Sequence, residues 1–590
     1  MVKLTIDDIP VEVPEGTTVL QAARQAGVRV PTLCYLAGQP PIGACRVCLV
    51  EVEGARTLVA SCAQPVSEGM VVRTNTGAVR NARRTVVELL LSEHDGDCQT
   101  CSRSGDCELR SLAGELGITD IRYTGEKTRR LVDDSTPALV RDTGKCIMCR
   151  RCVTVCNEVQ QVGGLYPQGR GFETVIGPAF AQPLSEVVCV QCGQCAAVCP
   201  VGAITERNQV DEVWEALEDP GKTVIVQTAP AIRAALGECF GYPPGTRVTG
   251  KMVAALRRLG FDAVFDTNFT ADLTIMEEGT ELLQRLRRAL VDGEEVALPQ
   301  FSSCSPGWIN YMEHFNPDML ANLSTCKSPQ QMFGALAKTY YAQKVGVRPE
   351  DMVVVSVMPC TAKKFEAARP EMTASGVRDV DFVLTTRELG TMIKQAGIDF
   401  RSLPDEEMDA PLGISTGAAD IFAVTGGVME AALRTVWEIV TERPFPFPDL
   451  HVKPIEGLEG IKTASVRIEG AKPEWAFLEG VEVKVAVAHG LGNAQKVIDM
   501  VRRGEAKFHF VEVMTCPGGC IGGGGQPRFT TDEVRQARIA AIYAEDESRE
   551  LRKSHENPYV CALYEEYLGA PCGEISHELL HTRYFEKSRV

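Results

Sequence analysis

Residues 352–366, MVVVSVMPCTAKKFE, set an unbroken apolar run directly before a cysteine. Such a run, without polar alternation, predicts a strand buried on both faces, as in a parallel sheet covered by helices. Ligands in sheets of that kind gather beyond the carboxyl ends of the strands, which is where Cys360 falls. The form recurs. EVALPQF (295–301) runs into FSSCSPGW (301–308) with Cys304, and TVIVQTAP (223–230) and VKVAVAHG (483–490) are two more such runs. EVMTCPGGCIGGGGQP (512–527) adds Cys516 and Cys520, whose spacing of four predicts both sulfurs on one side of a helical turn. Its six glycines between 518 and 525 predict close backbone packing around a bulky cofactor rather than a free loop. Three separate segments thus offer four thiols to one buried metal site, in a domain over 210–590.

Ahead of residue 210 lie four further ligand sets. Residues 1–77 open with strands around a tight turn at Asp7-Asp8. Cys34, Cys45, Cys48 and Cys62 then follow C-x10-C-x2-C-x13-C, close to the plant-ferredoxin pattern for [2Fe–2S]. Gly43 and Ala44 keep that loop slim around the sulfurs. A zinc ribbon is the alternative, but ribbons show two CxxC pairs and this segment has one. In 78–137, His94, Cys98, Cys101 and Cys107 form H-x3-C-x2-C-x5-C, a set that could hold zinc tetrahedrally. A [4Fe–4S] cluster with a His ligand is favoured by its place between two ferredoxin-like modules, because an electron path tolerates no redox-silent gap. Residues 138–209 carry C-x2-C-x2-C-x3-C twice, at 146–156 and 189–199. In that two-cluster run the fourth cysteine serves the other cluster. Cys146, Cys149, Cys152 and Cys199 are expected to hold one [4Fe–4S], and Cys189, Cys192, Cys195 and Cys156 the second.

The 590 residues carry a net charge of −17, which argues against nucleic acid as a partner. No run of about 18 apolar residues exists to span a membrane. The start, MVKLTIDDIPVEV, shows neither the charged region nor the apolar region of a leader, so a cytoplasmic location is expected. In that reducing compartment 23 clustered cysteines point to metal rather than disulfides.

The three cysteine segments resemble the signatures of the [FeFe]-hydrogenases, and the front half resembles that of their long, five-cluster forms. The resemblance implies a multidomain α+β and α/β chain. Its parts would be a β-grasp [2Fe–2S] domain, a [4Fe–4S] domain with one histidine and three cysteine ligands, a two-cluster bacterial ferredoxin domain and a two-lobed α/β H-cluster domain. The implied reaction is 2H+ + 2e− ⇌ H2. Its cofactors would be one [2Fe–2S], three [4Fe–4S] and an H-cluster, a cubane bridged to a diiron unit carrying CO, cyanide and a dithiolate amine. By similarity Cys360, Cys516 and Cys520 ligate the cubane, with Cys520 as the bridge. Lys363 holds a cyanide, Met358 and Met514 pack on the diiron unit, and Ala229, Pro230 and Ala231 line the cyanide pocket. The family's proton path matches Glu278, Glu281, Ser324 and Arg285, three of which share a helical face at i, i+3 and i+7.

The family's first segment usually carries two adjacent cysteines, a proton carrier and then a cubane ligand. Here Cys304 is followed by Ser305. Three accounts stay open: a local shift lets Cys304 ligate, Ser305 binds as alkoxide, or the cubane has another ligand. Cys304 is expected to be essential in any of them. Cys239, Cys326, Cys561 and Cys572 read as small hydrophobes, and the histidines other than His94 as structural. No Rossmann fingerprint is present. The SSCSPGW form resembles the subunit of NAD(P)-linked, electron-bifurcating complexes. That implies flavin- and NAD(P)-binding partners, a thioredoxin-like [2Fe–2S] subunit, ferredoxin and maturation proteins. A stand-alone ferredoxin-dependent hydrogenase and an H-cluster redox sensor are the alternatives. An electron-entry subunit of the complex-I kind accounts for 1–209 but not for the three segments.

Overall fold

The computed structural model describes residues 1–588. The first five strands are β1 (Val2–Ile6), β2 (Ile9–Val13), β3 (Leu49–Val52), β4 (Val59–Ala60) and β5 (Val71–Arg73), in sheet order β2-β1-β5-β3-β4. Asp7 and Asp8 make the β1–β2 turn with φ of 47° and 66°, the two positive values that a tight hairpin of this twist requires. The helix Val19–Gln25 starts with a capping box between Thr18 and Gln21, and buries Val19, Leu20, Ala22 and Ala23. Gly43 has φ 66° and nothing within 4 Å of a built Cβ. Conformation rather than crowding is what asks for glycine there.

The helix Gly77–Glu93 ends at His94, and the helix Glu108–Glu115 begins directly after Cys107. Strands β6 (Val132–Asp133) and β7 (Leu139–Asp142) follow, then the hairpin β8 (Tyr166–Gln168) and β9 (Val175–Gly177), and β10 (Ile204–Glu206), which pairs antiparallel with β7. The two cysteine repeats fold alike. Each turns into a short helix, Arg151–Thr154 or Gln194–Val198, through a left-handed residue at the equivalent position, Arg150 (φ 63°) or Gly193 (φ 71°).

The remainder holds two four-stranded sheets. The first contains β11 (Thr223–Thr228), β12 (Ala263–Asp266), β14 (Met352–Met358) and β15 (Phe382–Thr385), all parallel, in order β12-β11-β14-β15. The second contains β13 (Gln300–Phe301), β16 (Ile461–Arg467), β17 (Glu482–His489) and β18 (Phe510–Met514), in order β13-β18-β17-β16. This two-sheet, mixed α/β arrangement behind ferredoxin-like modules is the expected fold class. Two expectations change in detail. EVALPQF supplies only a two-residue strand, since Pro299 has no N–H to give to a ladder. VKVAVAHG is parallel to β18 but antiparallel to β16, and its first residues stay in reach of solvent.

Candidate active site: a thiol-lined cavity at four strand ends

The carboxyl ends of β11, β13, β14 and β18 converge. At or just beyond them lie Ala229 and Pro230, Cys304 and Ser305, Met358 (the last residue of β14) and Cys360, and Met514 (the last residue of β18) and Cys516. These residues, with Lys363 and Cys520, line one cavity with about 780 Å³ of atom-free space. Ala231 lies behind the wall, fully buried, and accepts a hydrogen bond from Gln526 Nε2 at 3.3 Å. The turn at 229–231 is anchored by the fully buried Arg233, which pairs with Asp266 and Asp420 at 2.8 Å each. Unpairing such a buried guanidinium costs about 3–5 kcal/mol.

Cys516 and Cys520 do not sit on a helical turn. Gly518 (φ 80°) and Gly519 (φ 93°) carry the chain between them in a left-handed loop, and only Cys520–Gly522 is helical. Pro517 followed by two glycines favours that loop over a helix. The glycines also serve a second purpose. A Cβ on Gly524 would lie 2.3 Å from the Cys192 carbonyl oxygen, and one on Gly193 would overlap the Thr361 side chain. Thr361 Oγ1 donates to the Gln191 carbonyl at 2.8 Å, Gln194 Nε2 to Gly522 O at 3.0 Å, and Gln160 Nε2 to Thr515 O at 3.0 Å. The cofactor loop is thus pressed directly onto the second ferredoxin repeat.

That repeat and its twin enclose cavities of their own. Cys146, Cys149, Cys152 and Cys199 line one of about 410 Å³, and Cys156, Cys189, Cys192 and Cys195 line one of about 490 Å³. Cys192 lies close enough to Cys516 for their charges to interact. In the first domain Cys34 faces Cys45, and Cys48 faces Cys62. His94 is buried with Nδ1 unpartnered, four residues before Cys98 in the chain, and Cys107 is buried as well. An orphaned buried nitrogen close to thiols in the chain suits a metal ligand.

Lys363 Nζ donates to Glu366 at 2.9 Å and to the Cys304 carbonyl at 3.1 Å. Glu366 also accepts from Ser328 Oγ at 2.8 Å and Gln330 Nε2 at 3.1 Å, so it fixes the lysine against the cavity. Ser305 Oγ lies 2.7 Å from Thr515 Oγ1 and accepts the Thr515 N–H at 3.3 Å. Cys304 faces Glu278, and burial pushes its thiol up. Glu278 is 3% exposed; burial first, and the charge of Glu281 second, push its carboxyl up to about 8. Ser324 stands between the two glutamates and donates to Glu281 at 2.7 Å; Arg285 donates to Glu281 at 2.7 Å.

Several residues here are not singled out by the sequence. Glu366 and Thr515 sit inside quoted segments, yet only folding reveals that they hold Lys363 and Ser305. Glu512 is fully buried and accepts the N–H groups of Gly426 and Met429 at 2.7 Å each, at the start of the helix Gly427–Thr441. Burial pushes its carboxyl up to about 7. Its position two residues before Met514 is the one available signal.

Comparison with known proteins agrees with this geometry. Residues 222–524 match the iron only hydrogenase large subunit, C-terminal domain, and 532–587 the iron hydrogenase small subunit. Residues 1–77 match a 2Fe-2S cluster binding domain, 83–122 the iron-sulfur binding region of NADH-ubiquinone oxidoreductase G, and 145–203 a 4Fe-4S dicluster domain. The NADP-reducing hydrogenase subunit HndD of Solidesulfovibrio fructosivorans is 54% identical, with all of both chains covered. Iron hydrogenase 1 of Clostridium pasteurianum is 39% identical over 99% of this chain and 100% of its own. The solved [FeFe]-hydrogenase HydA1 of Chlamydomonas reinhardtii covers 65% of this chain and 100% of its own, at 44% identity and a TM-score of 0.58. With iron–sulfur modules leading to a thiol-lined cavity at four strand ends, the chain belongs to the iron-only, or [FeFe], hydrogenases, oxidoreductases that act on H2.

Proposed function

We propose that the chain catalyses 2H+ + 2e− ⇌ H2 in the 780 Å³ cavity, as the hydrogen-reacting subunit of an NADP-linked assembly. The observation that carries this reading is the meeting, at one cavity, of three cysteine thiols, the anchored Lys363 and the inner end of a buried glutamate relay. When bound, the H-cluster supplies the redox-active metal centre at which H2 is made or split. Cys360, Cys516 and Cys520 would hold its cubane. The donor set fits that group: soft thiols for iron, Met358 and Met514 as polarisable walls, and the Lys363 ammonium for an anionic ligand.

Ser305 and Cys304 take different parts. The Thr515 N–H donates to Ser305 Oγ and the Thr515 hydroxyl lies 2.7 Å away, where it would donate to an alkoxide; hydrogen bonds to an anion favour the anion. Ser305 would therefore be the fourth cubane ligand, as alkoxide. Cys304 lines the same cavity within electrostatic reach of Glu278, and carries protons. Its thiol and the Glu278 carboxyl are both protonated at neutral pH, so each can give a proton and take one back. Ser324, Glu281 and Arg285 continue the route outward.

Electrons arrive over another wall. The clusters are one [2Fe–2S] on Cys34, Cys45, Cys48 and Cys62, one [4Fe–4S] on His94, Cys98, Cys101 and Cys107, and one [4Fe–4S] in each repeat cavity. Cys192 hands over to the loop of Cys516. The close likeness to an NADP-reducing hydrogenase subunit, together with the lack of a dinucleotide fingerprint, assigns NADP and flavin to partner subunits. Native purification tests the assembly. A flavoprotein is expected to co-purify, and H2-driven NADP+ reduction to require it. Reduction of NADP+ by the isolated chain would overturn the assignment.

A further inference from the structure

Beside the outer end of the proton route lies a group of side chains that catalysis does not use. Glu277 is the helical neighbour of Glu278 but points away from the cavity. Its carboxylate accepts from Tyr564 at 2.5 Å, from the Cys572 N–H at 2.7 Å, from Ser576, and faces His581 Nε2 at 3.1 Å. One carboxylate oxygen of Glu277, Cys572 Sγ and a His581 ring nitrogen all lie within 4.8 Å of one another. A second set shares the same imidazole: Glu281, Cys326 and His581, again within 4.8 Å of one another and buried. The backbone holds this arrangement rigidly. Cys326 and His581 form a β-bridge, flanked by Lys327 N–H to Leu580 O at 2.7 Å and Thr582 N–H to Thr325 O at 2.8 Å. Cys572 has φ 55°, a left-handed conformation that a non-glycine residue adopts at a cost.

The two thiols contribute little as hydrogen-bonding groups. Cys572 Sγ reaches the Glu277 carbonyl at 3.4 Å and Cys326 Sγ reaches Glu281 at 3.9 Å. What they add is donor chemistry. Thiolate, imidazole and carboxylate on three separate side chains form a donor set that zinc takes in tetrahedral sites. Bonds of about 2.0–2.3 Å would draw such donors together by roughly 1 Å, a movement within reach of the half-buried Cys572. Thr325 supplies the outer contact: its Oγ1 lies 2.7 Å from His581 Nδ1. With Nδ1 bonded to that hydroxyl, Nε2 is left to face the cation, as is usual for ligating histidines.

We propose that Glu277, Cys572 and His581 bind one divalent cation of the zinc class, with water in the fourth position. The site joins the segment 571–581 to the helix Thr267–Leu290 that carries the proton route. Resting on the reading of Glu281 as a proton carrier, the site is also a brake. Glu281, which shares the His581 imidazole with the site, accepts a proton less readily with the cation's charge beside it.

Zinc added at one equivalent to the cluster-loaded protein tests both parts. Zinc K-edge absorption is expected to show sulfur together with imidazole among the nearest neighbours of the metal. Cys572→Ser is expected to remove the sulfur, and Thr325→Val to weaken binding roughly 10–100-fold through the lost outer contact. An all-oxygen environment, or uptake unchanged in both variants, would overturn the site. H2 turnover is expected to fall on zinc addition and return with a chelator in the native chain, but not to respond in Cys572→Ser. Sulfur-ligated zinc that leaves turnover unchanged would overturn the brake and leave the site standing. Failure of the Glu281 reading would show separately, as turnover insensitive to Glu281→Gln.

Discussion

In the proposed proton route, Glu278 is the group that hands protons to Cys304. Its carboxyl, pushed up to about 8 by burial and by Glu281, is protonated below that pH and ionised above it. As a donor toward Cys304 it works in the protonated form. H2 production is therefore expected to fall as pH rises through about 8, while H2 oxidation, which needs an acceptor, gains. Glu278→Gln removes the titration and should cost roughly 10²–10⁴ in turnover, the usual worth of a positioned acid–base group. A rate–pH profile taken with the cofactor's infrared bands intact checks this; an unchanged profile would remove Glu278 from the route. Ser305 makes a separate prediction. In the chain carrying the cubane without the diiron unit, Mössbauer spectra of the cubane should show one iron unlike the other three, and four alike in Ser305→Cys. Four equivalent irons in the native chain would mean that Ser305 does not ligate.

At the scale of elements, the glycine-rich loop is the joint between the electron path and the catalytic site. Gly524→Ala places a Cβ 2.3 Å from the Cys192 carbonyl. Neither backbone can yield cheaply, so overpacking of about 1–3 kcal/mol is expected, read as a lower unfolding temperature. Slower reduction of the cofactor by the ferredoxin repeats should accompany it. Normal stability and electron transfer would show that the contact is not tight in solution. This joint also marks where sequence reasoning runs short. The glycines of 518–525 read as room for a cofactor, and a pattern of residues cannot tell a cofactor from a neighbouring segment 328 positions away, as Gln194 is from Gly522. Cys516 and Cys520 read onto a helical turn from spacing alone, although Gly518 and Gly519 favour positive φ. By contrast β11 and β14 are legible, because a strand covered on both faces leaves no polar alternation. The ferredoxin repeats are legible too, since metal ligation fixes ligand spacing locally. Glu366, Thr515 and Glu512 are not, because each works through a partner that only the fold brings near.

Across the whole molecule, the proposed function gives the modules one electron route, usable in either direction, between a partner and H2. Four cysteine-rich sets lead from the N-terminal domain to the loop of Cys516, and the glutamate relay approaches Cys304 from the helix Thr267–Leu290. No helix among the described residues is long and apolar enough to cross a membrane. The proposed NADP-linked assembly would be the source or sink of those electrons, a reading supported by the likeness to an NADP-reducing hydrogenase subunit. The infrared spectrum of the protein made together with the H-cluster maturation machinery tests the central claim most directly. Bands of metal-bound CO and cyanide are expected, changing under H2. Their absence from a preparation whose other iron–sulfur clusters are intact would contradict the account.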